Sequence, residues 1–506
     1  MVDRDWHSVS AFVEYIENNY PVDRWKIDGV PAWPLIRLRV GAASNAIFRH
    51  DMCRLDCIEV KHSNRWTDYV NVLEEPFKSQ FQLSFLDSIH NEKRKSADIV
   101  MLGSSVSRNI CLPTGEWLDH SLDPLRNELE QLGYSVFAFE TVENEVKYPR
   151  YSNSCAVDLM CLKALIMGKM YNLARKQIKM EIDSVQNVLN ECIKFGLRPH
   201  DLNFEYYFKV VRNIHILSLY FKDELMKIKP KLVIFANWAS ETKMAMAVAA
   251  HMLHIPIIEI QHGAIFKGKI SYSNWNLPPL GYEVMPDYIW TWNQESYDVI
   301  ASWGRDKVIP FVGGEPEKLI WGSRNGKFFS LYQNAFERNF CILKPAILIT
   351  LQYNTIYPDW FAEFINKTES CAWLVRFHPH RDKMQEDFVS KLAQKENIIW
   401  QGVDQFPLDV LLQNVFLHIT SCSSVVINGE LYGIPSIVLA SFAQQMFSPQ
   451  IKRGIARFID NDNDLLVAIH EFLSKREAMH EIKKRTKQLY ARGQSGIQCM
   501  IKIIEK

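Results

Sequence analysis

From PAILITLQY at residue 345 to SIVLA at residue 440, short apolar runs alternate with longer amphipathic ones, and a polar turn separates each pair. The short runs are rich in Ile, Val and Leu on both faces, which marks strands buried on both sides of a sheet. The pattern predicts strands over 372–377, 397–401, 415–420 and 435–440, with helices over 357–366, 383–395, 407–413 and 423–432. Neighbouring parallel strands require crossover connections of this size, so the alternation calls for a parallel sheet with helices on both faces. The same rhythm runs earlier in the chain, through ADIVML, YSVFAFE, KLVIFAN, PIIEI, DYIWTW and VIPFVGGEP. A helix-rich block from 155 to 228 interrupts that first series.

A chain of 506 residues is too long for one such core. The expected division is a helical N-terminal extension over 1–96, a first α/β domain over 97–320 with a helical insertion, a second over 340–480, and a basic helix over 481–506. Two parallel sheets in tandem place a ligand cleft between the carboxyl ends of their strands.

Composition narrows the function classes. Formal net charge is zero, which gives no broad electrostatic footprint for nucleic acid. Ten Cys are scattered without a CxxC pair, a usage that fits reduced thiols in the cytoplasm. The start, MVDRDWHSVSAF, lacks the apolar stretch of a signal peptide, and no apolar run reaches the length of a membrane span. The expectation is a soluble cytoplasmic protein. Lys475, Lys483, Lys484, Arg485, Lys487 and Arg492 leave room for peripheral contact with an anionic membrane, although Glu477 and Glu481 dilute that charge. Asp460, Asp462, Asp464 and Glu471 imitate a calcium loop, but Leu465 stands where that loop needs glycine, so a turn with an Asp cap is expected instead.

Three turns carry the chemistry. AWLVRFHPH sends Arg376 and His378 to one face at the end of a strand, with Pro379 directly after. VFLHITSCSSVVINGELYGIP puts Ser423 and Ser424 where a strand gives way to a helix, and unpaired N–H groups and the helix dipole favour an anion there. Glu430 lies two turns into that helix, within reach of a ribose diol. Gln261-His262-Gly263 directly follows PIIEI at the rim of the first sheet. There the glycine permits close backbone approach, and His262 suits acid/base work. Glu241 opens a helix, and Asp119 and Asp123 flank another; Asp123 is expected to cap it and Asp119 to be the freer carboxylate.

QHG after a strand, then RFHP, then SS at the head of a helix that contains Glu, together resemble bacterial surface-polysaccharide glycosyltransferases of the GT-B fold, two Rossmann-like domains facing across a cleft. The HP and SS turns are similar to the donor site of sialic acid and Kdo transferases, where the His and the Ser pair hold the phosphate of a CMP-sugar. An HG, an HP and an SS turn also occur in this order in teichoic-acid polyol-phosphate transferases, which use CDP-glycerol. The resemblance implies that His378, Ser423 and Ser424 bind the donor phosphate; the residues themselves add Arg376, Pro379, Glu430, Gln261 and Gly263 as expected donor contacts and His262, Asp119 and Glu241 as the catalytic candidates. It implies a nucleotide sugar as substrate, a capsule or lipopolysaccharide glycan, free or lipid-linked, as acceptor, and neither metal nor cofactor. The sequence lacks the families' Asp/Glu-Asp-Gly base motif and has QHG in place of the polyol enzymes' WHG. Non-hydrolysing UDP-sugar 2-epimerases share the architecture, as would a transferase domain reduced to binding.

Overall fold

The computed structural model describes residues 6–53, 96–112, 114–142, 147–174, 180–198, 202–321, 327–340, 342–379, 381–475 and 479–505. Two parallel sheets dominate it. The first contains β1 (Ile99–Ser104), β2 (Val136–Thr141), β3 (Cys155–Ala156), β4 (Leu232–Ala236), β5 (Ile257–Ile260), β6 (Tyr288–Thr291) and β7 (Ile309–Val312). Its order is β7-β6-β5-β4-β1-β2-β3, with every pairing parallel. The second contains β8 (Ala346–Thr350), β9 (Ala372–Arg376), β10 (Ile398–Ile399), β11 (Leu417–Thr420), β12 (Ser436–Val438) and β13 (Ala456–Phe458). Its order is β10-β9-β8-β11-β12-β13, again parallel throughout. Each sheet therefore starts in its interior, winds outward one way and then resumes on the other side of its first strand. This is the doubly wound Rossmann order, with a switch point between β1 and β4 and another between β8 and β11.

Strand alternation builds two layers of core on each sheet. On β1, Val100 and Leu102 face the N-terminal helices and the long helix Phe204–Ile228, while Ile99 and Met101 face the opposite layer. On β8, Ile347 and Ile349 join one layer and Leu348 the other. The strand boundaries expected from sequence hold to within a few residues. Two strands were not expected, the short edges β3 and β13.

The N-terminal residues do more than extend the chain. Val9, Phe12, Trp25, Trp33 and Ile36 belong to the first core. Arg37, fully buried, pairs with Glu17 at 2.9 Å, stacks 3.7 Å over Trp275, and donates to the carbonyls of Ile270, Ser273 and Asn274. Its several bonds offset the cost of burying a guanidinium and pin the 264–275 loop that follows the QHG turn. Part of the expected 1–96 extension, residues 54–95, lies outside the described residues.

The chain crosses between the sheets twice. The outgoing crossing runs through Gly313 and Gly314 to the short helix Lys318–Trp321. Between the two expected domains lies the helix Lys327–Asn339, whose Tyr332 and Phe336 pack under the second sheet. The helix Met479–Ile504 makes the return crossing, with Leu489 in the second domain's core and Ile497, Met500, Ile503 and Ile504 covering the first sheet. Gly493 packs on Leu319 and Gly496 packs on Trp290 and the Cα of Gly313, so a side chain at either position would force the two crossings apart. The side chains of 479–487, which include Lys483, Lys484, Arg485 and Lys487, lie outside the described residues. Among the described residues no helix is long and apolar enough to cross a membrane. The helix Asp462–Ser474 is capped by Asn461, which accepts from the Asp464 N–H at 2.9 Å.

Candidate functional site

The carboxyl ends of β8 and β11 sit side by side at the second switch point, and the Ser423-Ser424 turn leaves β11 there to enter the helix Val425–Tyr432. The expected row of unpaired N–H groups is shorter than the sequence suggests. The Val425 N–H donates to Ser423 Oγ, Val426 to the Ser423 carbonyl and Ile427 to the Ser424 carbonyl. Ser423 is buried and committed to its own turn. Ser424, half-buried, makes no capping bond with its side chain, so its hydroxyl and the helix dipole are what this turn offers an anion.

Arg376 and His378 leave β9, the strand on the other side of β8. Arg376 Nε is buried without a hydrogen-bond partner. Burial lowers the guanidinium pKa against the pull of Asp404, Glu317 and Asp409. The His378 N–H donates to Gln385 Oε1 at 2.8 Å, fixing the turn, and the half-buried ring lies 6.4 Å from that of Tyr353. Pro379 is exposed. Beneath these turns His418 bridges Thr350 and Ser436, and burial pushes it down to about 3, so it is a neutral core group.

Glu430 has a different partner from the expected ribose. Arg453 binds it through two nitrogens at 2.9 and 2.6 Å, and Gln450 donates to its other oxygen. The same guanidinium reaches Glu295 of the first domain at 2.7 Å. Glu430 thus belongs to a clamp between domains.

Around the first switch point, Gln261 is fully buried and internally saturated. Its oxygen accepts from the Trp292 N–H, and its amide nitrogen donates to the Gly263 carbonyl and to Ser296. It shapes the turn, with both amide hydrogens spent inside the protein, and its burial keeps it from the donor contact expected of it. Gly263 avoids positive φ, and a Cβ there would meet only Lys269 Nζ, at 3.9 Å. His262 exposes its ring to solvent yet is walled by enough protein that burial lowers its pKa, helped by Lys269, Lys243 and His120. The imidazole is neutral near pH 7 and able to accept a proton.

Neither aspartate takes its expected role. Asp119 is buried, and its Oδ1 takes the Ser121 and Leu122 N–H groups at 2.9 and 3.1 Å. Asp123 accepts from the Asp119 N–H and pairs with Arg108 at 3.0 Å. Asp119 ties down the turn that precedes the helix Asp123–Gln131 and is not a free base. Glu241 is half-buried, 3.5 Å from Arg39.

Sequence reasoning passed over Glu259 altogether. It lies fully buried in β5, accepting from Tyr272 OH at 2.5 Å and from the Trp238 N–H at 3.0 Å, while its second oxygen has no hydrogen-bond partner. Burial raises its pKa to about 7 despite Lys269 and Lys243 nearby. Burial likewise lowers Lys269 to about 8. A single acid inside an apolar strand was the only available signal.

The two turns adjoin. Ala264 and Phe266, just past the QHG turn, pack with Trp292 against Val426 and Ile427 of the SS helix. Behind them Lys318 pairs with Glu315 at 2.8 Å and Asp409 at 2.6 Å, Asn428 donates to Glu315 at 2.6 Å, and Tyr432 donates to Asp409. These residues are all buried, and burial together with Asp409 holds Glu317 well above the carboxylate range.

The fold and turns define a two-domain Rossmann-type α/β protein. The sequence matches no protein-family model and no curated protein. Among solved structures it is similar to the UDP-GlcNAc 2-epimerase of Neisseria meningitidis bound to UDP-GlcNAc (13% identity, TM-score 0.46, 80% of this chain and 99% of that one). The glycotransferase of kitacinnamycin gives 12% identity, TM-score 0.45, and 81% and 99% coverage. A putative UDP-N-acetylglucosamine 2-epimerase of Listeria monocytogenes gives 12%, 0.44, and 78% and 91%. At such values the fold assignment rests on the sheet orders themselves.

Proposed function

We propose that this chain is an enzyme acting on a nucleotide sugar, with the nucleotide phosphate at the Ser423-Ser424 and RFHP turns and the reacting sugar against His262. The observation that carries this reading is the adjacency of the QHG loop and the SS helix through Ala264, Phe266, Val426 and Ile427. It supports a placing of the exposed His262, two residues before Ala264, near the switch-point helix N-terminus. Such a pairing supplies an acid/base group next to a place for a leaving phosphate. Arg376 and His378 would stabilise the charge that develops on that phosphate.

Glycosyl transfer to a capsule or lipopolysaccharide acceptor is the reaction we favour. The HP and SS turns support a CMP-sugar as donor, and a CDP-polyol is the nearest variant. The proton-carrying groups of the first-domain wall favour a second reading, epimerisation of a UDP-sugar. Glu259 near 7 and Lys269 near 8, beside His262, are more than deprotonating one acceptor hydroxyl needs. A thermal-shift screen of CMP, CDP, UDP and GDP, followed by turnover of the stabilising nucleotide's sugars with and without acceptor glycans, separates the readings. Acceptor-dependent release of nucleotide supports transfer, and acceptor-free interconversion supports epimerisation. If none of the four stabilises the protein, the nucleotide-sugar reading is wrong.

A further inference from the structure

Three strands end side by side at the second switch point, in the order β9-β8-β11. The outer two lead into the RFHP and SS turns, and the middle one leads into the loop over 351–358. Tyr353 lies three residues past Thr350, the last residue of β8, just as Ser423 lies three past Thr420, the last of β11. Thr350 and Thr420 are partners in the ladder. On the β9 side the Tyr353 ring is 6.4 Å from the His378 ring and inclined 40° to it. Tyr353 is nevertheless 55% exposed, and Ile356 in the same loop is 46% exposed.

This exposed ring is fixed in place. The Asn354 N–H donates to Asp382 Oδ2, with Asn354 at a φ of 51°, a left-handed conformation that asparagine tolerates better than most residues. Asp382 Oδ1 accepts from the Gln385 N–H at 2.9 Å as the cap of the helix Lys383–Ser390, and Gln385 Oε1 accepts from the His378 N–H. The Gln352 N–H donates to the buried Tyr357 hydroxyl at 3.0 Å, which itself donates to the Thr350 carbonyl at 3.3 Å. Both neighbours of Tyr353 are thus tied down, one of them through Asp382 and Gln385 to the turn that presents His378. An aromatic side chain ordered in advance and left in solvent suits a flat apolar ligand, because little ordering remains to be done on binding. Aromatic rings stack on nucleobases whatever the base, since every base has a π-face.

We propose that Tyr353 is the platform on which the nucleobase of the substrate stacks, beside the phosphate site and separate from the side chains that hold the phosphate. This rests on the nucleotide-sugar reading above and adds to it the place of the base, at the loop of the middle strand. The platform raises affinity for any base and leaves the choice among bases to groups that meet the base edge.

Calorimetry on the full chain tests it, with CMP, CDP, UDP, GDP and ribose 5-phosphate titrated into wild type, Tyr353→Ala and Tyr353→Phe. Tyr353→Ala should bind the preferred nucleotide at least about tenfold more weakly, and Tyr353→Phe within about twofold of wild type, since stacking uses the ring and not the hydroxyl. Ribose 5-phosphate has no base, so its affinity should differ by less than about twofold between wild type and Tyr353→Ala. An unchanged melting temperature checks that each variant is folded. A folded Tyr353→Ala with wild-type nucleotide affinity overturns the platform and leaves the nucleotide reading standing. So does a Tyr353→Phe as weak as Tyr353→Ala, which makes the hydroxyl the contact. An equal loss of ribose 5-phosphate in Tyr353→Ala also overturns it, because the ring then serves only to support the phosphate turn. Where ribose 5-phosphate binds too weakly to read, the comparison of Tyr353→Phe with Tyr353→Ala decides. If none of the four nucleotides binds wild type, the nucleotide reading fails and the platform falls with it.

Discussion

Replacing Glu259 with glutamine turns a buried charge question into a measurable pH dependence. In the folded chain burial raises the Glu259 pKa from 4.5 to about 7, because desolvation outweighs the Tyr272 and Trp238 hydrogen bonds and the two lysines. The unfolded chain ionises first as pH rises. Stability attached to this residue is therefore complete below the unfolded pKa, falls as pH climbs to the folded value, and is level above it. At about 1.36 kcal/mol per unit the whole change is about 3 kcal/mol, of which about 2.5 kcal/mol falls between pH 5 and pH 8. Glu259→Gln keeps the oxygen that accepts from Tyr272 and Trp238 and removes the titration. Its new amide N–H₂ faces a place without a hydrogen-bond partner, a cost that does not vary with pH. Urea unfolding of both proteins at pH 5 and pH 8 reads the effect, since the titrations of groups on which Glu259 does not act are common to the two. The stability difference should move by about 2.5 kcal/mol in the variant's favour on going from pH 5 to pH 8. A difference that stays constant refutes the reasoning and means that the lysines keep Glu259 ionised throughout.

Lys318→Met should destabilise by about 3–5 kcal/mol, since it strands buried Glu315 and Asp409, and adding Asp409→Asn should restore part of that loss in thermal unfolding. His378→Ala should weaken binding of the preferred nucleotide by about 1.5–3 kcal/mol. In the same calorimetry Ser424→Ala should cost more than Ser423→Ala, whose hydroxyl is spent on Val425; equal losses would place the phosphate elsewhere. Gly263→Ala should change stability by less than about 0.5 kcal/mol, because its Cβ enters open space. It should lower turnover by at least about tenfold if substrate occupies that space, and full activity would show that it does not.

The sheets were legible because parallel strands are buried on both faces and read as apolar runs. Edge strands β3 and β13, two and three residues long, carry no such run, and pairing alone creates them. The three turns could be found for the same reason: each ends a strand that the pattern already located. Partners across long sequence separations left no local trace. Arg453 clamps Glu430 to Glu295, and Lys318 pairs with Asp409, yet GGEPEK reads as an ordinary exit loop. Capping preference points to Asp123, yet Arg108, itself in an unremarked stretch, draws that carboxylate away, and Asp119 is spent on the turn ahead of the helix. Gln261 passed for a ligand because saturation of an amide depends on Trp292, Gly263 and Ser296 all arriving at once.

The return of the final helix to the first sheet has a consequence for biosynthesis. Ile99, Met101, Ile234 and Ile258 are translated before the second domain, yet Ile497, Met500, Ile503 and Ile504, which pack on them, are translated after it. A growing chain must carry one apolar face of its first sheet uncovered while the whole second domain emerges from the ribosome. The order of synthesis thus opposes the order of burial, and until the helix arrives the part of that face not already covered by Leu122, Leu125 and Leu129 is open to association with other chains.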